Sequence, residues 1–218
     1  MKVVSLDVWN TLIHANPEFS LERNRYLAAE LSLPIDTINS VYREVKDTAD
    51  SMAEETGECI SNMAIYKRFL LMLGRQHYNW LKFRRGLERV FAKYPPYVPP
   101  ETIVTLRMLQ EQGIALSIAS NTNFIRGEAL YNIILNTWGI DWKFFVFSDQ
   151  LLQAKPHPRF WNIVVRRAKT FVGAKPWEIL HIGDNKVCDG ACSNANIQFQ
   201  HIKKPTELVR VLERVYEI

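Results

Sequence analysis

The stretch "KVVSLDVWNTLI", residues 2–13, joins a short apolar run to a single acid. Residues 2–7 are typical of a buried strand that ends on a single acid, Asp7. Residues 8–11 have the composition of a loop that begins where the strand ends. A carboxylate at the tip of a buried strand can serve as a nucleophile, a metal ligand or a helix cap, so the remaining sequence must distinguish these three roles.

Composition excludes several classes of protein. The chain has 218 residues, of which 47% are hydrophobic, which is enough for one full core and a modest second lobe. Its 27 Lys and Arg residues are spread along the chain against 23 Asp and Glu, so we expect no nucleic-acid partner. We also expect no membrane partner, because no apolar run has the length of a transmembrane helix or signal peptide. Three cysteines without zinc-site spacing suit a reducing compartment, and we expect a cytoplasmic location. No sequence feature indicates an oligomeric state.

The pattern of apolar residues changes at the proline-rich segment "YPPYVPPE", residues 94–101. Before it, apolar residues recur at helical spacing in four segments between residues 14 and 93. After it, short apolar strands alternate with helices, which predicts a parallel sheet covered on both faces. We therefore predict an α/β fold with a Rossmann-like core formed by residues 1–13 and 97–218, interrupted by an all-helical insertion formed by residues 14–96.

Polar residues follow the predicted strands where each strand ends. Asp7 stands at the end of the first strand, Ser120 and Asn121 follow "IALSIA", Asp149 follows "FFVFS", and Asp184 follows "EILHIG". Ligands of open parallel sheets collect at the carboxyl ends of the strands. We therefore expect these side chains to meet at one edge of the sheet, together with Lys155, which follows Asp149 closely in the sequence.

Four segments in this order resemble the motifs of the haloacid dehalogenase superfamily. They are "SLDVWNTL" with Asp7, "LSIASNT" with Ser120, "AKPHPRFW" with Lys155, and "ILHIGDNKVCDGACSNA" with Asp184 and Asp189. The resemblance extends over the whole chain, and the helical insertion resembles the helical cap of the first type, which closes over the site in that superfamily. It implies a hydrolase that acts on a small molecule.

The chemistry of these residues agrees with that expectation. Asp7 is the candidate nucleophile, because a carboxylate can divide a displacement into two steps through an acyl phosphate or an ester. Lys155 is the second candidate catalytic residue. The Ser120 hydroxyl, the Asn121 backbone N–H and the Lys155 ammonium could donate to the oxygens of a bound phosphoryl group.

Mg²⁺ is the expected cofactor, because a hard cation prefers oxygen ligands. These ligands could come from Asp7, Asp184 and the main-chain carbonyl of Trp9. Asp189 is a further candidate ligand near them. Taken singly, each residue also has a simpler interpretation. Asp7 or Asp189 could cap a helix, and Lys155 could be a solvated surface charge.

Trp9 departs from the pattern of the superfamily's phosphatases, most of which have a second aspartate at this position. Indole cannot exchange protons near neutral pH, so acid–base assistance to the leaving group is missing unless another residue supplies it. An aromatic residue occurs here in the superfamily's 2-haloacid dehalogenases, whose halide product needs no proton. Those enzymes usually have a Ser/Asn-rich stretch where this chain has Gly183 and Asp184. A site that binds no metal does not need the carboxylate of Asp184, so this residue favours the magnesium-dependent enzymes.

The leading interpretation is a magnesium-dependent phosphatase that acts on a small phosphorylated metabolite through an aspartyl-phosphate at Asp7. The first alternative is a metal-independent 2-haloacid dehalogenase, and the second is a non-catalytic binding module of the same fold. Within the insertion, Arg23, Arg25 and Lys67 could clamp an anionic group. Charges on amphipathic helices usually face solvent, and that is the expectation for all three.

Overall fold

The computed structural model describes residues 1–217 and contains a five-stranded parallel sheet with the order β3-β2-β1-β4-β5. The strands are β1 (Val3–Leu6), β2 (Ala115–Ser120), β3 (Trp142–Phe147), β4 (Ile179–Gly183) and β5 (Gln198–His201). The N-terminal strand is central, because Val3 pairs with Ala115 on one side and with Ile179 on the other. The predicted α/β class with a Rossmann-like parallel core is confirmed.

Four helices follow β1 before the chain returns to the sheet, namely α1 (Pro17–Leu31), α2 (Ile35–Thr56), α3 (Asn62–Met72) and α4 (Trp80–Lys93). We call residues 14–96 the helical insertion, and the division of the chain into two domains at its ends stays a prediction. Side-chain oxygens of Asn16, Ser61 and Asn79 cap α1, α3 and α4 by accepting backbone N–H groups of the first turn.

The remaining helices are α5 (Pro100–Glu111), α6 (Gly127–Ile133), α7 (Ser148–Leu151), α8 (Pro158–Val172) and α9 (Leu208–Tyr216). The short helix expected from Asp189 is a 3-10 helix, Gly190–Ala195. Among residues 1–217, no helix combines the length and the apolar character needed to cross a bilayer.

Buried side chains form a separate apolar cluster on each face of the sheet. Successive strand residues point to opposite faces, so Val3 packs in the cluster that contains Trp161 of α8, whereas Val4 packs in the other. The second cluster is continuous with the interior of the helical insertion, including Tyr66 and Phe83. The insertion and the sheet therefore share one apolar core.

Phe124, in the loop after β2, joins the two parts of that core. It is 2% exposed, and its ring stacks on Tyr42 of α2 with centroids 3.9 Å apart. We expect Phe124→Ala to lower the free energy of unfolding by about 3 kcal/mol, because it leaves a cavity between the sheet and the insertion. Urea denaturation measures this change. Phe171→Ala is the control, since Phe171 is 61% exposed and should cost much less; equal losses for both variants would contradict the prediction.

Candidate active site

Asp7 lies at the carboxyl end of the central strand and is 6% exposed. Its carboxylate accepts a hydrogen bond from Lys155, with Nζ 2.8 Å from Oδ1. Lys155 is 2% exposed and also donates to the carbonyl of Ala119, 3.0 Å away, and to Asp189. The interpretation of Lys155 as a solvated surface charge is therefore wrong. The lysine is held inside the protein by groups from three different strand ends.

Asp189 is the second carboxylate that accepts a hydrogen bond from Lys155. Its Oδ1 lies 3.0 Å from Nε2 of the buried His181, and its Oδ2 accepts the backbone N–H of Asn185 at 3.0 Å. A Cβ atom at Gly183 would come within 2.2 Å of the Asp189 carboxyl, so β4 and this side chain fit together only with glycine there. Asp189 precedes a 3-10 helix without capping it, and its interpretation as a helix cap is wrong.

The carboxylates of Asp7, Asp184 and Asp189 come together as one group, in which one oxygen of each lies within 4.8 Å of the others. Asp184 accepts a hydrogen bond of 3.1 Å from the side chain of Asn10. Asn10 has φ 56°, a left-handed conformation that asparagine tolerates better than most residues, and this turn directs its amide toward Asp184. Within residues 1–217, the carbonyl of Trp9 accepts no backbone hydrogen bond. These oxygens form a donor set of the kind that a hard divalent cation prefers.

The electrostatics of the group are unbalanced. Burial raises the pKa of Asp7 to about 7, although the Lys155 ammonium acts in the opposite direction. Burial also raises the pKa of Asp184. Burial acts to raise the pKa of Asp189 as well, but Lys155 and the hydrogen bond from His181 outweigh it and hold that pKa below its usual range. Lys155 is the one cation that pairs with these three carboxylates within residues 1–217, so the group as a whole is short of positive charge.

Ser120 is the last residue of β2, and Asn121 follows it beside this group. Ser120 is fully buried, and its hydroxyl donates weakly to the Asn121 carbonyl at 3.2 Å. The Asn121 side chain accepts the backbone N–H of Lys155 at 2.8 Å and donates to its carbonyl at 3.0 Å. These two bonds fix the loop that carries the lysine. The backbone N–H of Asn121 makes no hydrogen bond to another backbone group of residues 1–217, and its role as a donor to a ligand stays a prediction.

Asp149 is the one strand-end acid that does not join the group, contrary to our expectation. It accepts a hydrogen bond from the Thr122 hydroxyl at 2.8 Å and contacts the backbone N–H of Gly127 at the start of α6. It therefore braces the loop between β2 and α6. The four-residue helix α7, which the sequence analysis did not predict, turns Asp149 toward that loop.

A cavity of about 500 Å³ lies between the strand ends and the helical insertion, and both Asp7 and Trp9 line it. The Trp9 indole is half-buried and contacts Phe91 of α4, with ring centroids 6.3 Å apart. Arg25 is exposed and pairs with Glu22, as expected of a solvated charge. Arg23 contradicts that expectation, because it is only 7% exposed and lines the cavity.

Residues 1–191 match the family of haloacid dehalogenase-like hydrolases. The chain belongs to this family. No curated protein matches the sequence of this hydrolase. The five-stranded parallel sheet flanked by helices agrees with this family.

Solved structures of the same fold include enzymes of different chemistry. The hydrolase is similar to the putative HAD-hydrolase YfnB of Bacillus subtilis bound to magnesium, at 19% identity and TM-score 0.72, over 97% of this chain and 98% of that one. It is similar to a 2-haloacid dehalogenase of Pseudomonas syringae pv. tomato DC3000, at 19% identity and TM-score 0.67, over 99% of both chains. A HAD phosphatase of Thermococcus onnurineus has 18% identity and TM-score 0.65, over 97% and 98%. At these identities the likeness concerns the fold alone.

Two residues of the hydrolase's site were missed in the sequence analysis. His181 lies fully buried within β4, donates from Nε2 to Asp189 and accepts at Nδ1 from the Ser5 hydroxyl, 3.1 Å away. Burial lowers the pKa of His181, which keeps the ring neutral. The sequence could have indicated this role of His181, because it is a polar residue inside an otherwise apolar strand. Asn10, the other residue, could have been noticed as an asparagine in a loop, where a left-handed turn is common.

Proposed function

We propose that this protein is a magnesium-dependent phosphatase that acts on a small phosphorylated metabolite through an aspartyl-phosphate at Asp7. The observation that carries the proposal is the group of three carboxylates at the strand ends. A site that only displaces halide with Asp7 has no need for Asp184, whereas a site for Mg²⁺ and a phosphate ester does.

We assign the metal to Asp7, Asp184 and the carbonyl of Trp9, with Asp189 at the edge of the site. Asp189 already accepts hydrogen bonds from Lys155, His181 and the Asn185 backbone. Its main role in this proposal is therefore to position Lys155. When bound, Mg²⁺ would offset the negative charge of the carboxylates and of the phosphoryl oxygens. The fit rests on the oxygen donors and on three carboxylates sharing the single cation Lys155.

The first step of the proposed reaction is attack by the Asp7 carboxylate on phosphorus. A bond forms from the carboxylate oxygen to phosphorus, while the bond from phosphorus to the leaving oxygen breaks and its electron pair stays on that oxygen. Lys155, the Ser120 hydroxyl and the Asn121 N–H would donate to the phosphoryl oxygens. Lys155 also holds Asp7 in position for the attack, because it donates to the same carboxylate.

In the second step, water attacks phosphorus and breaks its bond to Asp7, which releases inorganic phosphate and restores the carboxylate. Trp9 can neither give nor take a proton. In the first step the leaving oxygen therefore departs as an anion and takes its proton from solvent, and in the second step the attacking water passes its proton to a phosphoryl oxygen. The proposed enzyme thus depends on substrates whose leaving oxygen is stable as an anion. Aryl phosphates have such leaving groups.

A second candidate function, a 2-haloacid dehalogenase without metal, is supported by Trp9. The indole lines the cavity beside Asp7, and halide leaves as a stable anion without a proton donor. In this reaction Asp7 would attack carbon, release halide and form an ester that water then hydrolyses. This candidate gives no role to Asp184.

Metal dependence separates the two candidates. We expect phosphate release from 4-nitrophenyl phosphate with Mg²⁺ and a loss of about 100-fold or more with a chelator, because Asp7 and the phosphoryl group repel each other without a cation. Restoring Mg²⁺ should restore the rate. Phosphate and chloride release are measured in parallel, with 2-chloropropionate as the second substrate.

Asp184→Asn should raise the Mg²⁺ concentration needed for half-maximal rate. Asp149→Asn is the matched control, because Asp149 follows a neighbouring strand but contacts Thr122 and Gly127 instead of the carboxylate group. Chloride release that is indifferent to chelator would replace the proposal with the second candidate. A folded protein that releases neither product would favour the non-catalytic binding module.

A further inference from the structure

Arg23 of α1 is a buried cation that lines the same cavity as Asp7 and Lys155. Arginine is rarely buried without a carboxylate partner, because removing its charge from water is costly. None of the ion pairs among residues 1–217 includes Arg23. By contrast Lys46, another cation of the cavity wall, pairs with Asp50 at 2.5 Å.

Neutral groups hold the guanidinium of Arg23 in place. Its Nε and Nη2 both donate to Oδ1 of Asn24, at 3.1 and 2.9 Å, and Asn24 in turn donates to Asn39 at 3.1 Å. The guanidinium carbon lies 3.5 Å from the ring centroid of Tyr42. These contacts orient the group but do not neutralise its charge, and Nη1 makes no hydrogen bond within residues 1–217.

Aromatic rings pack around the guanidinium of Arg23. Its carbon lies 5.7 Å from the ring centroid of Phe19, which contacts Phe91, and the Tyr42 ring beneath it stacks on Phe124. The cavity also has charged lining residues, namely Lys46, Asp50 and Glu54. In such surroundings the attraction between a guanidinium and an anion is stronger than in water. A guanidinium with free N–H groups also matches the oxygens of an anionic group better than an ammonium does. The cavity thus contains one site for the reacting group at Asp7 and a second for an anion at Arg23.

We propose that Arg23 binds a second anionic group, a carboxylate or a second phosphate, on the substrate of this enzyme. The inference rests on the proposed phosphatase function, because it takes the reacting phosphoryl group to lie at Asp7. The substrate class is then small phosphate esters that carry another anion at the end remote from the ester. Arg23 selects them by binding that anion and takes no part in the bond changes.

The test compares aryl phosphates that differ only in the second group. The substrates are 4-carboxyphenyl phosphate, its neutral analogue 4-carbamoylphenyl phosphate, and 1,4-phenylene bisphosphate, which distinguishes a carboxylate from a second phosphate. We expect a preference for an anionic ester over the carbamoyl ester of about 10- to 100-fold in kcat/KM, which is the value of a charged hydrogen bond. Arg23→Gln should abolish the preference, because kcat/KM for the anionic esters should fall to that of the carbamoyl ester with the same variant. Arg23→Lys should retain only part of the preference.

Arg25→Gln is the matched control, because Arg25 lies on the same helix but is exposed and paired with Glu22. It should leave the preference unchanged. Binding of 4-(phosphonomethyl)benzoate and its benzamide analogue to native protein, measured by calorimetry, gives a second readout that needs no variant to fold. Equal affinity for these two, or a preference that survives in Arg23→Gln, overturns the inference alone. If no ester is hydrolysed and neither phosphonate binds, the proposed function fails with it.

Discussion

Asp7→Asn should abolish hydrolysis of 4-nitrophenyl phosphate, with a loss of roughly a thousandfold or more in kcat. An amide oxygen cannot form the aspartyl-phosphate, and asparagine also removes a negative charge from the proposed metal site. Phosphate release in the presence of saturating Mg²⁺ measures the loss. Asp149→Asn should stay near the native rate, because its amide oxygen can still accept the hydrogen bond from Thr122.

The stability of Asp7→Asn shows whether the loss is chemical or structural. Burial raises the pKa of Asp7 to about 7, so the ionised carboxylate is costly to bury and a neutral amide avoids that cost. Lys155 keeps its contacts with Asp189 and the Ala119 carbonyl. We therefore expect the melting temperature of the variant to match or exceed that of the native protein. Substantial activity in a folded Asp7→Asn protein would rule out Asp7 as the nucleophile.

The strand-end acids were predictable because of a simple geometric rule. Asp7 and Asp184 each follow an apolar strand directly, and parallel strands bring their carboxyl ends to one edge. The same rule failed for Asp149, because it fixes where a residue stands and not where its side chain points. A short helix after β3 turns that carboxylate toward Thr122. The sequence indicated that Lys155 lies near the site. It did not indicate that the ammonium bonds to both Asp7 and Asp189, because these contacts join segments that are distant in the sequence.

Arg23 shows a different limit of sequence reasoning. It stands four residues from both Phe19 and Leu27, which places it on the apolar face of α1, and this spacing was a usable signal. We nevertheless predicted that Arg23 faces solvent, because charged residues on amphipathic helices usually do. Whether such a residue is buried depends on what packs against the helix, and here Asn24 and Tyr42 accommodate the guanidinium.

Trp9→Asp should raise the hydrolysis of alkyl phosphates, which we expect to be slow in the native protein. The side chain at position 9 lines the cavity beside Asp7, where a carboxylic acid could protonate the leaving oxygen and then accept a proton from water. Alkyl phosphates, whose leaving groups need that proton, should gain about 100-fold in kcat/KM for a simple ester such as ethyl phosphate. Aryl phosphates should change little, so the ratio of the two rates is the informative quantity.

Trp9→Asn separates proton transfer from a simple change in cavity shape. Both variants lose the contact between the indole and Phe91 and enlarge the cavity by a similar amount, but only aspartate can exchange a proton. If Trp9→Asn raises alkyl phosphate hydrolysis as much as Trp9→Asp does, the native tryptophan acts by excluding substrates. If neither variant changes the ratio of alkyl to aryl hydrolysis, the leaving oxygen does not lie beside position 9. A gain confined to Trp9→Asp would mean that the native enzyme is limited by the missing proton donor, and that Trp9 restricts it to leaving groups stable as anions.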